Sequence, residues 1–274
     1  MKKVSILISN YNSYEAIQLC IESIRHYTTY PNYNIVVYDD CSINETDLEY
    51  LRKRQDQGWL KLTEGKDKVG HGGSLNFLIN EYCQTDLAMI LDCDIQILAK
   101  GWLTDMVELI SKDEKAIVAG DSYGYRRIGK LTCLAPFCDF WFAMINMIAY
   151  RDGMQIDWSR YMIKGNAGIK NVIGDNWKEV SVVDERSDWT DADIGRLVID
   201  VGCKLVMRTR ENNSKGYYFM PLPQYIKNKY YHFIQISNRF GAPDKELRDY
   251  LVNKFYRIKI ELGKLKELTN MAKH

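Results

Sequence analysis

The stretch LAMILDCDIQI, residues 87–97, constrains the fold more than any other. An apolar run from Leu87 to Leu91 leads straight into Asp92-Cys93-Asp94, and its length and flanks read as a buried strand. Side chains alternate along a strand, so Asp92 and Asp94 point to the same side at its end. Two carboxylates so close repel each other and lose solvation, and the position calls for a compensating charge. A divalent cation that prefers hard oxygen ligands, magnesium or manganese, meets that need and shares its remaining positions with phosphate oxygens and water. The plainer alternative is that Asp92 caps the following element and Asp94 is a solvated loop residue, since aspartates are common at strand ends.

The same kind of strand recurs upstream. Residues 4–9 and 34–39 are compact apolar strands, and residues 59–62 form a shorter third one. Helical spacing fills the intervals. Residues 14–27 carry Ile17, Cys20, Ile21 and Ile24 on one side. Residues 44–57 form a polar surface helix with Leu48 and Leu51 inward, and residues 73–83 place Leu75, Leu78 and Ile79 together. Alternation of strand and helix predicts an α/β fold, a mostly parallel sheet covered on both faces. Ligands of such sheets bind beyond the carboxyl ends of the strands. Three ends carry polar signatures here: Ser9-Asn10-Tyr11-Asn12, Asp39-Asp40-Cys41-Ser42 and Asp92-Cys93-Asp94.

Several classes are excluded. The turn after the first strand is SNYNSY, not glycine-rich, and Gly70-His71-Gly72-Gly73 lacks the third glycine of a dinucleotide fingerprint; no P-loop occurs either. The Gly70–Gly73 segment either lets backbone N–H groups approach a phosphate at a helix start or makes a tight turn needing positive φ. His71 within it reads as a solvated loop histidine. With 274 residues, 46% of them hydrophobic, the chain can bury one large core or two closely joined ones. A net charge of +1 gives no argument for nucleic acid. No run of 18 apolar residues exists, and MKKVSILISNYN reads as a first strand rather than a signal segment. The seven cysteines are scattered without CxxC spacing, which points to a reducing cytoplasm rather than a disulfide frame or zinc site.

Beyond residue 100 the pattern loosens. Residues 101–111 read as helix, 116–119 as strand, 121–130 as a polar loop, and 140–150 as an aromatic run compatible with strand or helix. Residues 164–168 form a turn. Trp189-Thr190-Asp191-Ala192-Asp193 opens a helix that closes at Gly202. Thr190 can cap that helix with Asp193 at its third position, and both charges suit the helix dipole. This accounts for Asp193 better than for Asp191, which leaves Asp191 for chemistry. Trp189 either offers a stacking face to a ligand or belongs to the core. His232, among aromatics in KYYHFIQISN, is either packed or completes a metal site. Residues 244–273 form a long amphipathic helix with the stripe Leu247, Leu251, Phe255, Ile258, Leu262, Leu265 and Leu268. Its bases outnumber its acids, so besides docking on its own domain it suits peripheral contact with an anionic membrane or a homodimer.

In this order VSILISNYN, VVYDDCS, the glycine-rich segment, DCD and WTDADIGRLVIDVG resemble the family 2 glycosyltransferases, closely over residues 1–100 and moderately over 186–205. The resemblance implies the A-type glycosyltransferase fold, with residues 1–100 a nucleotide-sugar-binding half, 101–232 an acceptor-binding half and 233–274 a C-terminal helical extension. It implies inverting transfer of a sugar from a nucleoside-diphosphate sugar, a UDP-sugar favoured, with Mn2+ or Mg2+, to a glycan, lipid-linked or protein acceptor. By position, Ser9 and Tyr11 border the nucleotide base and Asp40 accepts from its ring N–H. Asp39 supports Asp40 or reaches the ribose, and Gly72, Asp92 and Cys93 join the donor site. Asp94 binds the metal, completed by His232, and Asp191 is the catalytic base. Two departures stand out: Lys68 and Leu75 replace an asparagine and an arginine common in the family, and Thr190 replaces a glutamate. A non-catalytic nucleotide-sugar-binding partner subunit and a nucleotidyltransferase are the alternatives; the second lacks its basic glycine-rich signature after the first strand.

Overall fold

The computed structural model describes residues 1–123, 126–128, 131–133, 137–156, 158, 161–163, 197–199, 205, 209, 215–233 and 245–271. Its first part alternates as the sequence predicts: β1 (Val4–Asn10), α1 (Glu15–Tyr27), β2 (Tyr33–Asp39), α2 (Glu45–Asp56), β3 (Lys61–Glu64), α3 (Gly70–Tyr82) and β4 (Leu87–Asp92). There follow β5 (Ile95–Ile97), α4 (Trp102–Ser111), β6 (Ala116–Tyr123), β7 (Arg126–Ile128), β8 (Leu131–Cys133), β9 (Phe137–Asn146) and α5 (Met147–Arg151). The last described elements are β10 (Tyr161–Ile163), β11 (Leu197–Ile199), β12 (Tyr218–Pro221), α6 (Gln224–Lys227), β13 (Tyr230–His232) and α7 (Lys245–Met271).

The main sheet has the order β12-β6-β9-β4-β1-β2-β3. β1 pairs in parallel with β2 and β4, β2 with β3, and β12 with β6; β9 runs antiparallel between β4 and β6. β1 sits in the middle and is buried along its whole length. Its side chains divide between two cores, as strand alternation requires. Ile6 and Ile8 pack with Ile17, Ile21 and Ile24 of α1 and Trp102 of α4. Leu7 faces the other way, toward Leu75, Leu78 and Ile79 of α3 and Met147 of α5. Each such side chain, fully buried, contributes about 1.5–3 kcal/mol over leaving it in water. A smaller third core seats α7 on the domain: Ile258, Leu262 and Leu265 meet Ala16 and Leu19 of α1 and Phe233.

The structure corrects several readings. The third strand begins at Lys61, not at residue 59, because Trp59 turns instead to the guanidinium of Arg54, 4.1 Å from its ring centre. α3 begins at Gly70, so the glycine-rich segment is the helix's first turn rather than a loop before it. The stretch 121–130 is not wholly a loop: β6 continues past a register shift at Gly120/Asp121 to Tyr123, and β7 pairs with β8. Residues 140–150 are strand and then helix, divided at Asn146, whose side chain caps α5 by accepting from Ile148 and Ala149 N–H. The helix expected through residue 202 does not hold at Leu197–Ile199, which pair antiparallel with Tyr161–Ile163; the β-branched pair Val198-Ile199 favours a strand. On α7, Leu268 is exposed, because the helix outruns the surface it docks on; the side chains of Leu247, Leu251 and Phe255 lie outside the described residues, as do residues 164–168. Among the described residues no helix is long and apolar enough to cross a membrane.

Candidate active site

The parallel strands end together on one rim. Register aligns Asn10 with Asp39 and Ser9 with Asp92, so the polar signatures of β1, β2 and β4 lie side by side. Asp39 is buried, and its partners are all internal. Oδ2 accepts from Asn10 Nδ2 at 2.7 Å and from Ser42 Oγ at 2.7 Å, and Oδ1 accepts from Ser42 N–H at 2.8 Å. Ser42 Oγ in turn accepts from Asn12 N–H, and Asn12 Oδ1 from Ile43 N–H, each at 2.9 Å. Ser13 Oγ donates to Asn10 Oδ1. Asp39 therefore braces the rim, and Ser9 lies buried within it.

Asp40 points the other way. Its Oδ1 accepts from Val69 N–H at 2.7 Å and its Oδ2 from Gly70 N–H at 2.9 Å. α3 has no side-chain cap of its own at Val69, so a carboxylate from β2's end caps it from a distance, where the helix dipole also favours negative charge. Gly70 takes φ 74°, a region that suits glycine. Gly73 has no room for a side chain: an added Cβ would come within 2.7 Å of Val69 Cβ. Gly72, buried in the same turn, completes the strap. Ahead of it Lys68 Nζ lies 3.6 Å from the ring centre of Tyr11, a cation–π contact over the ring proposed to border the base.

At β4's end Asp92, Asp94 and His232 present ligand atoms within 4.8 Å of one another. His232 is brought back by β13, which pairs antiparallel with β5 so that His232 lies opposite Ile95; Phe233 N–H donates to Asp94 O at 3.0 Å. His232 Nε2 stands 3.1 Å from Asp94 Oδ1 and 3.6 Å from Asp92 Oδ2. Its ring stacks on Trp141 of β9, centroids 4.5 Å apart at 27°. Burial disfavours the charged imidazole, yet hydrogen bonds to Asp92 and Asp94 outweigh it and push His232 up to about 9. The two carboxylates thus draw positive charge to this point. Cys93 packs its half-buried side chain against the core, and burial followed by the charges of Asp94 and Asp92 pushes its thiol, like that of Cys20, well up. Both stay protonated near neutrality and are poor metal ligands or nucleophiles.

His71 departs from expectation. It is not solvated alone in a loop: it lies on the first turn of α3, half-buried, with Nε2 3.7 Å from Asp92 Oδ1. Trp141 is likewise a site residue that carries no motif, and Asn10 and Ser42, part of the strand-end signatures, brace Asp39. Leu75, where arginine is common in the family, is fully buried in the second core. Asp191, Asp193, Thr190 and Trp189 lie outside the described residues.

A twisted sheet in this order, helices on both faces and carboxylates gathered at the strand ends define the A-type glycosyltransferase fold. The model of the family described as "Glycosyl transferase family 2" matches residues 5–153, over half of the chain, and the chain belongs to that family. No curated protein matches it in sequence. Among solved structures it is similar to S. aureus TarS 1-349 in complex with UDP-GlcNAc, at 20% identity and TM-score 0.42 over 55% of this chain and 47% of that one. GalNAc-T7 with UDP, GalNAc and Mn2+ matches at 20% identity and TM-score 0.40, over 44% and 23% of the two chains. The mannosyltransferase PcManGT from Pyrobaculum calidifontis, in complex with GDP-Man and Mn2+, matches at 14% identity and TM-score 0.46, over 100% and 81%. The chain thus covers less than half the length of the first two.

Proposed function

We propose that the protein is a metal-dependent inverting glycosyltransferase acting on a nucleoside-diphosphate sugar, UDP favoured, in the assembly of a glycan. The observation that carries the reading is the convergence of Asp92, Asp94 and His232 at the carboxyl end of β4, in a chain of this family. The donor set fits a divalent ion. Two carboxylates supply hard oxygens and one imidazole suits manganese, and the Trp141 stack fixes the imidazole plane with Nε2 toward both carboxylates. Asp94, Asp92 and His232 would hold Mn2+ or Mg2+, which when bound neutralises the charge of the departing diphosphate.

The chain's own groups do the rest. Tyr11 offers a ring face to the base, beside Lys68. Each oxygen of Asp40 keeps a lone pair that the strap does not use, and the base N–H is assigned to one of these. Asp39, braced by Asn10 and Ser42, keeps that corner rigid, and Ser9 is buried beside Tyr38 and Asp92. Gly72 and Cys93 are assigned to the donor site by resemblance. Asp191, assigned by resemblance, takes the proton of an acceptor hydroxyl as that oxygen attacks the anomeric carbon opposite the diphosphate.

The test is thermal stabilisation and transfer with a panel of nucleotide sugars, with and without Mn2+. A nucleoside diphosphate should raise the melting temperature only with the metal, and Asp94→Asn should abolish both effects without lowering the melt of the free protein. Stabilisation that is the same with and without Mn2+, or undiminished turnover of Asp94→Asn, would refute the metal reading.

A further inference from the structure

We propose that His71 is a positioning residue for Asp92, holding one of its oxygens so that the other is presented to the metal position. The inference rests on the assignment of Asp92, Asp94 and His232 to the metal. Asp92 lies between two imidazoles and offers each a different oxygen: Oδ1 is 3.7 Å from His71 Nε2, and Oδ2 is 3.6 Å from His232 Nε2. The second is the oxygen facing His232, which joins Asp94 in the cluster of converging ligand atoms. A carboxylate free to turn about its Cβ–Cγ bond divides its time between orientations; one held at Oδ1 keeps Oδ2 aimed at the cluster. Outer partners of this kind orient metal-binding carboxylates generally.

The strap is built to put residue 71 at that place. Asp40 clasps Val69 and Gly70 N–H on the strap's near side. Gly70 at φ 74° makes the bend. Gly73 lets the first turn of α3 close against Val69, with 2.7 Å between an added Cβ and Val69 Cβ. Four consecutive residues therefore tie three strand ends: Lys68 to Tyr11 after β1, Val69 and Gly70 to Asp40 after β2, and His71 to Asp92 at the end of β4. A histidine carried this way brings a ring nitrogen to the carboxylate and adds no further carboxylate to an already acidic site.

The experiment titrates the full chain with Mn2+ alone, no nucleotide present, following free Mn2+ by its electron paramagnetic resonance. His71→Ala should weaken Mn2+ binding by about 10–100-fold, the usual loss when an outer partner of a ligand is removed, while its thermal melt stays that of the native protein. His71→Asn keeps a side-chain N–H donor and should recover most of that loss. His26→Ala, on the far end of α1, should change nothing. Native affinity in His71→Ala overturns the proposal, and so does a His71→Asn variant as weak as His71→Ala. A native chain that binds Mn2+ no better than Asp94→Asn overturns the metal reading itself, an outcome separate from any comparison of the His71 variants.

Discussion

Replacing Asp40 with asparagine keeps the shape of the side chain and removes half of what it does. Both oxygens accept, Oδ1 from Val69 N–H at 2.7 Å and Oδ2 from Gly70 N–H at 2.9 Å. An amide has one acceptor oxygen; in either orientation its NH2 faces a backbone N–H. One hydrogen bond to a charged group, about 1.5–3 kcal/mol, is lost, and the other falls to the neutral range of about 0.5–1.5 kcal/mol. Val69 is exposed, so water takes up the released N–H and trims the net effect to about 2 kcal/mol. That is about a 30-fold rise in the opening constant of the strap. Amide hydrogen exchange reads it directly: Val69 and Gly70 should exchange about 30-fold faster, while the amides of β1 keep their native rates. Asp40→Ala removes both acceptors, so its strap should open at least as far as that of Asp40→Asn. Native exchange at residues 69 and 70 in Asp40→Asn would refute the clasp. If the base also uses Asp40, calorimetry should show nucleoside diphosphate affinity weakened by about 1–3 kcal/mol in either variant.

Three further outcomes are expected. Asp191→Asn should cut single-turnover transfer at saturating donor by a factor of about 10²–10⁴ with donor binding intact, while Asp193→Asn spares most activity; the reverse pattern would move the base to Asp193. Burial pushes Asp47 up from 3.8 to about 6, the Tyr14 N–H that it accepts pulling part of the way back. The folded state therefore holds that proton longer than the unfolded state. The ionised form costs roughly 3 kcal/mol of stability above pH 6, a cost that vanishes below about pH 4. Asp47→Asn should accordingly melt higher than the native chain at pH 7.5 and level with it near pH 4; a pH-independent difference would contradict this. Leu262→Ala on α7, where Leu262 is 5% exposed, should cost about 2–5 kcal/mol in urea melts, whereas Leu268→Ala, 47% exposed, should stay within about 0.5 kcal/mol; equal effects would mean α7 docks elsewhere.

What the sequence makes legible is what period and length encode. The strand-and-helix alternation of residues 1–100 and the pairing of Asp92 with Asp94 follow from periodicity, and the structure has both. From the sequence, His232 joins them only by resemblance. Its arrival depends on Tyr230–His232 pairing with Ile95–Ile97, a long-range match between short segments with no distinctive pattern. Trp141 is invisible for the same reason: its ring meets His232 because β9 lies in the sheet between β4 and β6. His71 reads as a loop residue because the glycines around it suggest a loop, whereas Asp40 caps them into the first turn of a helix. No local rule foretells a cap supplied from another strand.

The rim also shows where the fold accepts strain to hold a site. Among the described residues three non-glycines have positive φ: Asn12 at 45°, Tyr14 at 54° and Cys41 at 61°. All three lie just after β1 or β2, at the corner where Asp39, Asp40 and Tyr11 sit. Asparagine tolerates such a backbone; tyrosine and cysteine do so at a cost of order 1–3 kcal/mol each. Tyr14 is the more extreme, with ψ −138°, and its N–H is held by Asp47 Oδ2 at 2.8 Å. That hydrogen bond gives the buried carboxylate one partner. Asp47 keeps Tyr14 turned so that Ser13 can reach Asn10 and Asn12 can reach Ser42 and Ile43. Relieving Asp47 of its charge and relieving Tyr14 of its bend are therefore different interventions. The first leaves the hydrogen bond to an asparagine oxygen in place; the second lets the turn after β1 relax.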